Sequence, residues 1–266
     1  MKRTLSLWLF GLFLVNACGG DTTGQRVALH TRVVMAPESV AGFTALSGWK
    51  IRLARAWVAT GPLYYFDGAP SVVFDRGKEN RRFRIMDWVL PSAHAHPGHY
   101  APGVTNGQML DEFSIDLLAP ETRLPEGNAV TGMLRSGTFS FSPPIGGPLV
   151  AALGNQSVIV QGVAEKELVQ VHFAVSVDFA AIARRARDGL VSGCKFEPTT
   201  IHGPGTVTVT VNPRSWFNLV DFAEVAPGSA ESPTVIAAET TPYIAFTLGL
   251  VQIGAYRFTF TPDTPQ

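Results

Sequence analysis

Three of the six histidines in this 266-residue chain fall within six consecutive positions, in the run PSAHAHPGHY from Pro91 to Tyr100. Neutral imidazole is a common metal ligand, and most histidine is neutral above a pKa near 6.5. If the run is extended before Pro97, His94 and His96 project to one face, because side chains alternate along a strand. Pro97-Gly98 favours a turn that brings His99 back towards them. Three nitrogens so placed suit Zn(II) or Cu(II), with a fourth ligand from elsewhere. Asp111, Glu112 and Asp116 follow closely and are the nearest acids available, with Tyr100 alongside. His30, His172 and His202 stand alone; His172, in the alternating QVHFAVSV, reads as an ordinary strand residue. The competing reading of the cluster is a polar loop whose imidazoles meet only water.

The pattern His-x-His-x-x-His in His94, His96 and His99 resembles that of the metallo-β-lactamase superfamily, which implies a zinc hydrolase. That family carries an aspartate where this chain has Gly98. Its downstream Gly-His element is not met either, since His172 follows Val171 and His202 follows Ile201. Metallo-hydrolysis is therefore the minor reading. The chain has no Gly-x-Ser-x-Gly elbow, no phosphate-binding glycine loop and no His-Glu-x-x-His helix, so no catalytic residue is nominated and a non-enzyme is expected.

The chain begins MKRTLSLWLFGLFLVNACGGD: Lys2 and Arg3, an apolar run from Leu5 to Val15, then small Ala17 before Cys18. This is the layout of a secretory signal over residues 1–17. Val15-Asn16-Ala17-Cys18 resembles the bacterial lipobox, which implies cleavage before Cys18 and its acylation by diacylglycerol and palmitate-type chains. Residues 18–25 would then be a lipidated tether, and the bilayer a partner through acylated Cys18. Gly19, rather than an aspartate, follows the cysteine, so the expected location is the cell envelope, the outer membrane rather than the inner, periplasmic or surface-facing. A lipobox followed by a strand-rich body is also loosely similar to uncharacterised Gram-negative envelope lipoproteins.

Removing the first 17 of 266 residues leaves 249, enough for one large domain or two small ones. Acids and bases balance in the full chain, with no basic stripe, which argues against a nucleic-acid partner. The second cysteine, Cys194, has no internal partner once Cys18 is acylated; it reads as a small core residue, with a metal ligand or an intermolecular bridge as the alternatives.

Short β-rich runs separated by Gly, Pro and Asn predict a mainly β fold, an antiparallel β-sandwich, one large or two stacked. Val27, Leu29, Thr31 and Val33 share one strand face, with His30 opposite. Gly48 to Gly68 reads as two strands broken at Gly61-Pro62. Further strands are expected at 81–90, 112–118, 132–142 and in SVIVQGVA, ELVQVHFAVSVDF, TVTVTVN and AYRFTFT. Three short helices are expected in the second half, capped by Asp178, by Asn212 ahead of Pro213, and by Thr241 ahead of Pro242. Ser140 to Pro148 is the expected seam between a β-rich half, 26–145, carrying the His-rich loop, and a second, 146–266, carrying the helices; one continuous body over 26–266 is the alternative. Trp49, Trp57, Tyr64, Tyr65 and Trp88 either fill the core or, on one exposed face, stack on sugar rings. The leading functional reading is a membrane-tethered protein that captures or handles a metal ion; the rival is a structural or adhesive module with a protein or glycan partner.

Overall fold

The computed structural model describes residues 24–70 and 102–263. Its first strand, β1 (Arg26–Met35), buries Val27, Leu29, Thr31 and Val33 and turns His30 outward, as the alternation requires. A one-turn helix α1 (Pro37–Val40) and the two-residue β2 (Phe43–Thr44) lead into β3 (Lys50–Thr60). Gly61-Pro62, a cis peptide, separates β3 from β4 (Leu63–Phe66). Then come β5 (Thr105–Met109), β6 (Phe113–Asp116), β7 (Thr122–Arg123), β8 (Gly127–Val130) and β9 (Gly132–Ser140). After α2 (Val150–Leu153), the hairpin β10 (Gln156–Lys166) and β11 (Val169–Asp178) is followed by α3 (Phe179–Ala183) and β12 (Leu190–Ile201). The chain ends through β13 (Gly205–Val211), α4 (Arg214–Phe217), β14 (Thr234–Val235), α5 (Thr241–Leu250) and β15 (Tyr256–Pro262).

The mainly β expectation holds; the antiparallel sandwich is corrected. One sheet runs β13-β15-β12-β9-β4-β5-β8-β1 and closes, because β1 also pairs with β13 over Leu29↔Gly205 to Met35↔Val211. The result is an eight-stranded barrel, with β7 continuing the β8 side of β1. The closing pair is parallel, as is β12–β15, so the barrel is mixed. The second sheet, β14-β11-β10-β3-β2 with β6 on β3, is open. Both sheets take strands from either side of Ser140 to Pro148.

The barrel interior is packed with side chains. Tyr65 meets Phe196 and Phe258 edge-on, each at 5.8 Å, and Phe139 stacks on Tyr256 at 4.1 Å. Eight strands leave room for such a filling and no channel. Across the interior the Tyr65 hydroxyl shares a hydrogen bond of 3.1 Å with Thr31. Cys194 lies buried on β12, the core placement, with its thiol donating to the Val191 carbonyl at 3.1 Å. The open sheet covers α4 and α5 through rings: Phe173 lies 5.5 Å from Phe217, which lies 5.0 Å from Phe246. Helix α5 is apolar nearly all round and almost wholly buried, the pattern of a core helix.

Helix starts follow the expected chemistry with small shifts. The Asp178 carboxylate accepts from the Ala181 N–H at 2.7 Å, capping α3. Asn212 accepts from the Arg214 N–H at 3.1 Å ahead of α4. The cap of α5 is Thr240 rather than Thr241, because Pro242 then falls within the first turn, where no N–H is needed. One helix, α1, falls in the first half, where none was expected.

Among the passages of the chain between the barrel and the open sheet, two lie side by side. β3 passes into β4 at Gly61-Pro62, and β5 passes into β6 beside it, with Leu63↔Met109 on the barrel side and Thr60↔Phe113 on the other. Gly61 has φ +106°, and a Cβ there would overlap the Asp111 carbonyl.

Candidate functional site

The three clustered histidines, His94, His96 and His99, lie outside the described residues, as do Cys18, Trp88 and the strand expected at 81–90. What the structure does describe is the root from which the His-bearing segment leaves. The chain departs after β4 and returns before β5, and that junction is tied by several bonds. Asp67 Oδ1 accepts from the Val104 N–H at 2.8 Å, while the Asp67 N–H donates to the Val104 carbonyl at 3.2 Å. The Gly68 N–H donates to Pro102 O at 3.0 Å, and the Ser136 hydroxyl donates to Gly68 O at 2.7 Å. Gly103 has φ +77°, and a Cβ there would strike the Asp67 carboxylate. Glycine is thus a requirement of the tie.

Strand register places this root on the barrel. Phe66 pairs with Thr105; Gly107 pairs with Ala129, which pairs with Val27. The root therefore sits at the same rim where β1 begins. There Gln25 and Thr131 are locked reciprocally, Gln25 N–H to Thr131 Oγ1 and Thr131 N–H to Gln25 O, both at 2.9 Å. His202, exposed just beyond β12, belongs to this rim too, since Ile201 pairs with Gly132.

The candidate acids are elsewhere. Asp111 is six residues along from Thr105, roughly 20 Å at a strand's rise, at the opposite end of β5. Glu112 follows it at the crossing between sheets, with Oε2 buried and without a hydrogen-bond partner. Asp116 ends β6, where its Oδ1 accepts from the Leu118 N–H at 2.9 Å and shapes the turn. His30 is exposed on the barrel wall, and His172 is half-buried on β11. Among the described residues no three His, Cys, Asp or Glu side chains converge as a metal group.

One polar cluster was invisible in the sequence because its members are far apart. Arg32 donates to Glu121 at 3.0 Å and to Thr208 at 2.9 Å, and Arg123 donates to the other Glu121 oxygen at 3.2 Å. The Arg123 and Arg32 hydrogen bonds hold the Glu121 carboxyl below its usual range. Arg32 and Arg123 line a cleft of about 350 Å3 that also includes His30, Thr206 and Asp263. The two guanidiniums are balanced by the Glu121 carboxylate that both engage and by Asp263 in the cleft wall, so the cleft presents little net charge.

The aromatics divide. Trp49 is core, its Nε1–H donating to Asp221 at 3.0 Å, and Tyr65 fills the barrel. Trp57 faces outward from the open sheet, half-buried, with the Arg55 guanidinium 4.3 Å above its ring. Tyr64 is half-buried on the outer wall of the barrel. Comparison with family models, with curated proteins and with solved structures finds no match for this chain.

Proposed function

We propose that this chain is a lipid-anchored envelope protein, held at the outer membrane by acylated Cys18, that binds Zn(II) or Cu(II) through His94, His96 and His99. The single observation that supports it best is the spacing of three imidazoles within six residues, in a segment whose two ends are pinned to one barrel rim. Pinning both ends shortens the loop that must close around an ion, which lowers the entropy cost of ligation. The barrel itself is filled with side chains, so its contribution is to hold the segment. The role is capture or handling of the ion, without catalysis. Asp111, Glu112 and Asp116 are the weaker part of the ligand set, being at the far end of β5 from the root.

The test is metal content and titrated affinity of the soluble form lacking residues 1–18, beside a His94/His96/His99→Ala triple variant. The parent is expected to hold about one equivalent of zinc or copper and the variant to lose it. Equal, weak uptake by both would end the metal reading. The outward Trp57 with Arg55 over its ring favours a second reading, a glycan-binding or adhesive module. Glycan binding that survives the triple substitution and is lost in Trp57→Ala would establish that reading instead.

A further inference from the structure

The rim that carries the root of the His-bearing segment also receives the chain from the N-terminus, and the reach of that approach restricts which end of the molecule can meet a bilayer. This step rests on the lipid-anchor reading of Cys18. From Cys18 to Gln25 are seven residue steps, which span at most about 25 Å when fully extended. Gln25 is fixed to the rim by its two bonds with Thr131. From Arg26 to Met35, β1 runs about 30 Å, and α4 lies beyond that end of the barrel, following β13, whose Val211 pairs with Met35.

Exposed apolar residues are scattered over the described surface, the hairpin pair Leu168 and Val169 among them, and one group marks each end of the barrel. At the far end Leu46 and Leu219 are 72% and 61% exposed and edge a cleft of about 500 Å3. At the near rim Val104 and Met133 are 63% and 47% exposed, and the Asn106 amide donates to the Met133 carbonyl at 3.0 Å. Tilted by about 40°, β1 spans about 23 Å along the barrel axis. With α4, about 10 Å thick, beyond it, far-end-down docking would hold Gln25 about 30 Å from the bilayer, beyond what seven steps can cover. The larger apolar patch therefore loses to the shorter distance. Charge does not decide between the two ends: at the rim the exposed Arg26 and Arg135 are balanced by the carboxylates of Asp67 and Asp263.

We infer that the barrel rim formed by Arg26, Val104, Met133 and Arg135 is a lipid-facing surface, seated on the bilayer that holds the acylated chain. Val104 and Met133 enter the headgroup boundary, and the far end with Leu46 and Leu219 points away.

The full chain, produced with its signal and reconstituted into phosphatidylethanolamine/phosphatidylglycerol vesicles containing dibrominated phosphatidylcholine, carries the test. Single substitutions Val104→Cys, Met133→Cys, Leu46→Cys and Leu219→Cys are labelled with an environment-sensitive fluorophore. Cys194 is fully buried and stays unlabelled in the folded protein. Several-fold stronger quenching at the two rim positions than at the two far positions is the expected result. Equal quenching at all four, or stronger quenching at Leu46 and Leu219, overturns the orientation while leaving the anchor intact. Mass spectrometry of the N-terminal peptide separates the two ideas: a peptide without acyl chains, from protein that fails to float with vesicles, overturns the anchor and with it the surface.

Discussion

The hydrogen bond between Tyr65 and Thr31 crosses the barrel interior between β4 and β1, which are not neighbours in the sheet order. Tyr65 is 0% exposed and Thr31 1%, so neither hydroxyl can turn to water. Tyr65→Phe deletes one partner and leaves Thr31 Oγ1 in a dry interior; Thr31→Val does the reverse with nearly the same shape. Each orphaned hydroxyl costs about 1–2 kcal/mol, whereas removing both restores an apolar match. The double variant should therefore be less destabilised than the two single losses added together, by about 1 kcal/mol. Urea unfolding of the four proteins gives the cycle directly. The ring contacts with Phe196 and Phe258 persist in Tyr65→Phe, so lost packing does not enter the comparison. Strictly additive losses, or a Tyr65→Phe variant as stable as its parent, would refute the idea that this bond ties the barrel across its interior.

Alkaline pH should unfold the protein through buried acids. Burial pushes the Cys194 thiol from 9.0 up to about 12 and the Tyr65 and Tyr256 phenols well above 10.0. A raised folded value means that the unfolded chain releases its proton first. The stabilisation is thus whole below pH 9 and falls as pH rises, by about 1.4 kcal/mol per unit for Cys194 and more steeply above 10 as the phenols join. Unfolding free energies from pH 8 to 11 check this, with Cys194→Ala expected to remove the decline between 9 and 10; an unchanged slope there would sink the assignment. Gly61→Ala should cost about 3 kcal/mol, from its positive φ and the collision with the Asp111 backbone. A thermal midpoint equal to the parent's would show that the crossing between the sheets relaxes freely.

Local elements were readable wherever one face alone is buried. β1 showed its core side in Val27, Leu29, Thr31 and Val33, and Tyr256 and Phe258 of the last strand are both core, although Phe260 ends only partly buried. Two of the unread strands carry a local contradiction. In β12 the register slips between Ser192 and Cys194 and again between Lys195 and Thr199, so two bulges erase the alternation. In β5 the pair Asn106-Gly107 has the composition of a turn, yet Gly107 pairs with Tyr65 and Ala129 as a strand residue, and it is glycine where a Cβ would crowd the side chains of Tyr65, Ala129 and Leu29. Barrel closure was hidden for another reason. It depends on β1 meeting β13, a parallel pairing between segments that no short pattern connects. The same distance concealed Arg32, Glu121 and Arg123. The histidine spacing, by contrast, was legible at once, because its chemistry lies within a single run of ten residues.

The parallel seam between β1 and β13 also has a meaning in time. Leu29 waits for Gly205, and until that part of the chain has been made the cylinder has a missing stave. Contacts so remote form late and slowly. Through most of its synthesis the chain therefore carries β1 without its closing partner, and the barrel can shut only once residue 205 has been made.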